Sequence, residues 1–266
     1  MSNVEIKNHQ INIKGLNVYY RTAGDSNNSP VILLNGWGAR TTGFLLGSDK
    51  VIRELVRHRF YVYSPEHPGL MRSETPKEIW GFKEYDEYLE EFIQKLNIKN
   101  FILIGQSFGG AVATAYAAEH PSDIRVLVLV SAGLSSDKLH GFLFRHLLYG
   151  KCFSLTLRSK FVLKTVKKLF ASAVLGIPWS HLEKENLENR ATMGEIFSQW
   201  SLENMYKKVT TKTILIWGKY DQFFPISSAR KVATELPNVR LYVVNAGHSV
   251  LYRNPKRTVE LIVSAL

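Results

Sequence analysis

Apolar positions along the chain follow two alternating patterns. Short continuous runs closed by Gly or Pro read as buried strands: PVILLNGWG at 30–38, FYVYSPEHPG at 60–69, NFILIGQS at 100–107 and RVLVLVSAG at 125–133. TKTILIWGKYD at 211–221 and VRLYVVNAGHS at 239–249 continue the series. Between them lie helical patterns. VIRELVRHR at 51–59 is one. FKEYDEYLEEFIQKLNI at 82–98 is another, with Tyr85, Tyr88, Leu89, Phe92, Ile93 and Leu96 at three- and four-residue spacings. Further helices are expected from Phe108 to about Glu119, from about Ser227 to Glu235, and from about Pro255 onward. INIKGLNVYYRTAG at 11–24 suggests a hairpin turning near Gly15. Strands alternating with helices predict an α/β fold, a mostly parallel sheet covered on both faces.

The alternation stops after Gly133. Residues 134–208 have no clear buried strand and look helical, so they read as a helical cap inserted into one core made of 1–133 and 209–266. With 266 residues, 45% of them hydrophobic, the chain can bury one large α/β core. The lone Cys152 excludes an internal disulfide and a Cys-based zinc site, and fits a reducing compartment. MSNVEIKNHQ carries no apolar signal core, and no apolar run approaches the ~18–20 residues needed to span a bilayer. A soluble, cytoplasmic protein without a transmembrane segment is expected. The net charge of +11 raises the question of an acidic partner. No basic–aromatic signature or nucleic-acid motif accompanies it, which argues against a nucleic-acid partner.

The chemistry centres on FILIGQSFGGA at 101–111. A serine between two glycines sits where a strand ends and a helix begins. A sharp turn there would lift the Ser107 side chain beyond the carboxyl ends of the strands, where open parallel sheets bind ligands. Gly105 and Gly109 would let strand and helix approach, and the helix N-terminus would favour an oxyanion. This is the Gly-x-Ser-x-Gly nucleophile elbow. The competing reading is a tight turn whose serine merely caps the helix. Context favours the elbow, because an acid and a base follow in the order that the elbow requires. Asp221 closes ILIWGKYD, and His248 follows the last strand in VVNAGHSV. Asp137 is the runner-up acid, and no other histidine follows a late strand; His67, His120, His140, His146 and His181 all lie elsewhere. The second oxyanion donor is expected in LLNGWGAR, where the Trp37 N–H would pair with that of Phe108. Asn35 and Gly36 would adjoin the substrate. A plain glycine-rich turn is the alternative for this loop.

These motifs together resemble the α/β-hydrolase superfamily over nearly the whole chain. GQSFGG, WGKYDQFFP and NAGHSVLYRNP match the family's three catalytic segments, and PEHPGLMRSE at 65–74 resembles its Asp-x-Pro-Gly-x-Gly-x-Ser segment. Two departures stand out. Asn35 precedes Gly36 where the family usually has a structural histidine, and Glu66 and Met71 replace the usual Asp and second Gly. A serine at the elbow argues against haloalkane dehalogenases and epoxide hydrolases, which use Asp. The resemblance implies a serine hydrolase of carboxylic esters or thioesters, working through Ser107, His248 and Asp221 and an acyl-enzyme, with no metal or organic cofactor. A carbon–carbon bond hydrolase or lactonase with the same residues remains open, as does a small-molecule receptor on a hydrolase scaffold.

The cap is the most individual segment. Between Lys138 and Leu182 there is no Asp or Glu, and Lys160, Lys164, Lys167 and Lys168 share one helical face. That face is either solvated or a dock for an acidic acyl-carrier protein, a coenzyme A phosphate or an anionic surface. The NGWG of this chain also resembles the HGWG of pimeloyl-carrier-protein methyl ester esterases. Phe142 and Trp179 are among the apolar residues expected to line an acyl or aryl pocket beneath the cap.

Overall fold

Eight strands form one sheet: β1 (Ile6–Ile13), β2 (Leu16–Ala23), β3 (Ser29–Leu34), β4 (Phe60–Pro65), β5 (Phe101–Gln106), β6 (Ile124–Val130), β7 (Thr213–Gly218) and β8 (Val239–Val244). Their spatial order is β1-β2-β4-β3-β5-β6-β7-β8. β2 runs antiparallel to both of its neighbours, and every pair from β4 to β8 is parallel. The computed structural model describes residues 4–36, 42–70, 72–78, 80–133 and 202–266. Seven helices lie among them: α1 (Thr42–Arg57), α2 (Phe82–Lys95), α3 (Phe108–Glu119), α4 (Glu203–Tyr206), α5 (Ile226–Glu235), α6 (Val250–Arg253) and α7 (Pro255–Ala265).

The apolar runs become central strands because both faces of the sheet are covered. In β5, Phe101 and Leu103 join a core layer with α2 and α3, whereas Ile102 and Ile104 join the opposite layer with α1, α6 and α7. All six β5 residues are buried, so no hydrophobic–polar alternation appears in the sequence. The α2 stripe packs as its spacing predicts, with Tyr85, Tyr88, Leu89, Phe92 and Ile93 buried. Two elements run further than the sequence suggests. The helix read at 51–59 begins at Thr42, where glycines break the pattern; Gly47 lies against Tyr252, and a Cβ there would come within 3.0 Å of the tyrosine Cβ. β1 starts at Ile6, and its polar residues belong to a sheet edge with a solvated face.

Topology places the site. After β3 the chain moves outward to β4, then returns to β5 on the other side of β3. The loops leaving the carboxyl ends of β3 and β5 therefore diverge, and a crevice opens at this switch point. Asn35 and Gly36 leave β3 there, and Ser107 leaves β5. The expected cap at 134–208 lies almost wholly outside the described residues; α4 and the buried Leu202 and Tyr206 fall at its end. Among the described residues no helix is long and apolar enough to cross a membrane.

α3 approaches the sheet closely because Gly109 and Gly110, in its first turn, are small. A Cβ on Gly105 would lie 2.4 Å from the Gly109 carbonyl oxygen and 2.7 Å from the Gly110 Cα, both backbone atoms that cannot rotate away. Gly105→Ala is expected to destabilise the fold by about 3 kcal/mol through overpacking. Urea unfolding of the purified variant measures this, and an unchanged midpoint would contradict it.

Candidate active site

Ser107 joins β5 to α3 with φ 52 and ψ −117, a backbone region that residues with a Cβ rarely enter. The distortion is held from several sides. Its N–H donates to the Val130 carbonyl at 3.2 Å, and its own carbonyl accepts from the N–H groups of Gly110, Ala111 and Gly133 at 2.9, 3.1 and 2.6 Å. Ser107 occupies the N-cap position of α3 yet makes no side-chain capping bond. Its Oγ instead lies 3.0 Å from His248 Nε2. The helix-cap reading of this serine therefore fails on geometry.

His248 follows β8 in a turn and is partly exposed. Its Nδ1 lies 3.1 and 3.0 Å from the two Asp221 carboxylate oxygens. A carboxylate only accepts, so Nδ1 carries the proton and donates it, leaving the Nε2 lone pair to accept from the Ser107 hydroxyl. Asp221 stands three residues beyond the end of β7, in a turn whose Tyr220 N–H donates to the Ala246 carbonyl at 2.9 Å. Its side chain is fully buried, and Oδ1 also accepts from the N–H groups of Phe223 and Phe224 at 2.9 and 3.0 Å. These bonds fix the carboxylate, and the Phe223 ring, 4.6 Å from the imidazole, packs against His248. A hydroxyl, an imidazole and a buried carboxylate in this line form an arrangement able to activate an oxygen nucleophile.

The remaining expectations divide. Phe108 opens α3, with its ring fully buried against His67 and Tyr85 at 5.0 and 5.2 Å. Gly36 lies beside Ser107, since a Cβ on it would reach within 3.1 Å of the Ser107 Cβ. Asn35 points into the protein, 2% exposed: Nδ2 donates to Ser64 Oγ at 3.1 Å, and Oδ1 accepts from Ser48 Oγ and from the Tyr252 hydroxyl, both at 3.1 Å. Its amide thus holds the loop from within. Trp37, Asp137, Phe142, Trp179 and the basic stretch from Lys138 fall outside the described residues. Glu66, the other departure, is buried and accepts from Arg72 N at 2.8 Å and Arg72 Nε at 2.9 Å, while the Glu66 N–H donates to the Tyr19 carbonyl at 2.9 Å.

Sequence alone does not point to Tyr252 or Gln106, and it weighs His67 only as a base and sets it aside. Each sits inside an apolar or turn segment, and only the parallel neighbours bring it to the site. His67 is buried, with Nε2 3.1 Å from the Asn35 carbonyl oxygen, so Nε2 carries the proton. Nδ1 has no hydrogen-bond partner among the described residues. Burial lowers its pKa from the ordinary 6.5 to about 4, against a smaller opposing effect of the Asn35 carbonyl. The sign follows directly. Above pH 6.5 His67 is neutral folded or unfolded and contributes nothing. Between 6.5 and about 4 the unfolded chain binds the proton and the fold does not, so stability falls, by on the order of 3 kcal/mol in full. His67→Gln removes this titration while keeping a donor for the Asn35 carbonyl. Its unfolding free energy in urea is expected to fall less steeply over that window than the wild type's; parallel falls would contradict the assignment.

Comparison with known proteins identifies the family and the fold. Residues 29–151 match the family described as alpha/beta hydrolase fold. The rat monoacylglycerol lipase ABHD6 is 31% identical over 258 residues, covering 89% of this chain and 74% of the relative. A 2-hydroxy-6-oxononadienedioate/2-hydroxy-6-oxononatrienedioate hydrolase from Comamonas testosteroni is 25% identical, covering 90% of this chain and 88% of the relative. Among solved structures, the enol-lactonase from Burkholderia xenovorans LB400 superposes with a TM-score of 0.79 over 96% of this chain and 98% of that one, at 16% identity, a likeness of fold. The chain belongs to the α/β-hydrolase family and is an ester-hydrolysing enzyme of that fold.

Proposed function

We propose that the protein is a serine esterase that cleaves carboxylic esters through Ser107, His248 and Asp221, with monoacylglycerols or esters of similar size as substrates. The observation that carries the mechanism is the unbroken hydrogen-bonded line from Asp221 through His248 to Ser107. The relatives named monoacylglycerol lipase suggest the substrate class.

In this reading the Ser107 Oγ attacks the ester carbonyl carbon as His248 Nε2 takes its proton. The carbonyl oxygen becomes an oxyanion, held by the N–H of Phe108 and that of Trp37; each such donor is worth roughly 3–4 kcal/mol in the transition state. Asp221 stabilises the imidazolium and keeps its ring turned to the serine. His248 then gives its proton to the departing alcohol oxygen, leaving an acyl group on Ser107. Water enters, loses a proton to His248 and attacks the acyl carbonyl. Collapse of that second intermediate returns the proton to Ser107 Oγ and frees the carboxylic acid. A thioester would follow the same steps with a thiol leaving.

A carbon–carbon bond hydrolase is the second reading, favoured by the Comamonas relative, which matches this chain along most of its length. The test is one panel: monoacylglycerols and p-nitrophenyl esters of two to sixteen carbons, beside a vinylogous diketone. Ester turnover by the wild type is expected, with kcat falling by about 10⁴-fold or more in Ser107→Ala and by about 10³–10⁴-fold in Asp221→Asn. Cleavage of the diketone alone would transfer the assignment to the second reading, and ester turnover that survives Ser107→Ala would refute the mechanism.

A further inference from the structure

The site has a second connection, made behind the reacting groups. Tyr252 lies four residues past His248, on α6, and its hydroxyl reaches back under the loop that leaves β3. It donates to Asn35 Oδ1 at 3.1 Å and accepts from the Gly36 N–H at a longer 3.4 Å. Asn35 is tied down on its other sides. Ser48 Oγ donates to the same amide oxygen, Arg21 Nη2 donates to Ser48 Oγ at 2.8 Å, Asn35 Nδ2 donates to Ser64 Oγ, and His67 Nε2 donates to the Asn35 carbonyl. Asn35 is thus anchored by β2, α1, β4 and the turn after β4. Tyr252 alone among these partners comes from the segment that carries His248.

The two loops also meet through Gln106. Its side chain is buried between Gly36 and the His248 carbonyl, with Nε2 3.5 Å from that oxygen and Oε1 without a hydrogen-bond partner among the described residues. That contact is weak and one-sided. The tyrosine hydroxyl is the stronger bridge, because it both donates and accepts inside a buried region where a lost bond leaves an unsatisfied group. Burial raises the Tyr252 pKa, so the hydroxyl stays protonated and keeps its donor role.

We infer that Tyr252 is a positioning residue for the hydrolytic reaction: its hydroxyl, held between Asn35 Oδ1 and the Gly36 N–H, fixes the β3 exit loop relative to the His248 loop. The inference rests on the reading of Ser107 and His248 as nucleophile and base and of the β3 exit loop as one half of the oxyanion hole. It adds that the distance between the two halves of the machinery is set by one hydroxyl. Substrate contacts need not change when that hydroxyl is removed. Stabilisation of the tetrahedral oxyanion must.

Tyr252→Phe keeps the ring and deletes the bridge. With p-nitrophenyl butyrate, kcat is expected to fall about tenfold and KM to stay within twofold. The inhibition constant of an alkyl trifluoromethyl ketone, which presents a tetrahedral oxyanion to the site, is expected to rise by a similar factor. In an Asn35→Ala background, where the longer Gly36 N–H contact is what remains of the bridge, adding Tyr252→Phe should cost clearly less than the tenfold expected in the wild type. If Tyr252→Phe instead keeps kcat and ketone affinity within twofold while the thermal midpoint drops, the residue is packing only and the inference is overturned. Fully multiplicative losses in the double variant would overturn it as well. The comparison within the Tyr252→Phe protein stands even if Asn35→Ala does not fold. Failure of the underlying mechanism would show separately, as turnover persisting in Ser107→Ala.

Discussion

A serine backbone held at φ 52 between a buried strand and a buried helix is the constraint around which the structure is arranged. Such a conformation costs about 1–3 kcal/mol and persists only where its surroundings enforce it. Here the enforcement is visible. Three N–H groups converge on the Ser107 carbonyl, one of them from Gly133 beyond the end of β6, and the serine N–H is held by the Val130 carbonyl. The price of the turn is small residues on both sides. Gly109 packs so closely under the β3 exit that a Cβ would lie 2.3 Å from the Leu34 carbonyl oxygen. What the strain achieves is presentation: the hydroxyl that would otherwise cap α3 is turned out to meet an imidazole.

The polar groups around that serine fall into two linked systems. One is the line from Ser107 and the partly exposed His248 to the buried, fixed carboxylate of Asp221. The other is buried and does no chemistry itself. Asn35 stands at its centre, with the side chains of Arg21, Ser48, Ser64, His67 and Tyr252 around it. A network of this kind is rigid because each unmade bond inside it would leave a desolvated group unpaired. Under the proposed mechanism it suits a loop that holds an N–H donor in place, since preorganised donors need no rearrangement during the reaction. The neutral state of His67 fits the same buried network: a cation beneath the β3 exit loop would require its own counter-charge.

Much of this was legible in the sequence, for definite physical reasons. Central strands that are covered on both faces leave continuous apolar runs, so β3, β5, β6 and β7 stand out, and the elbow announces itself because only glycines fit around it. Ser107, Asp221 and His248, which the structure brings into one hydrogen-bonded line, stand out because each follows a strand at the edge where a parallel sheet binds its ligand. The N-terminal half of β1 was missed because an edge strand with a solvated face looks like a polar loop, and the start of α1 because Gly47 interrupts its pattern to make room for Tyr252. Asn35 was read as a residue beside the substrate, and its inward amide depends on Ser48, Ser64 and Tyr252, which lie 13, 29 and 217 positions away. Contacts of that range leave no local periodicity. His67 and Tyr252 were hidden for the same reason, each sitting in a segment whose own pattern says only turn or buried helix.

In the proposed mechanism Ser107 is the activated nucleophile of this site. The most direct measurement is covalent: a fluorophosphonate probe is incubated with the native enzyme, and the labelled peptide is located by mass spectrometry. The account predicts one probe per chain, on Ser107, with labelling abolished by prior heat denaturation because activation depends on the folded line to His248 and Asp221. Labelling at another residue, or a native Ser107 no more reactive than in the denatured chain, would contradict it.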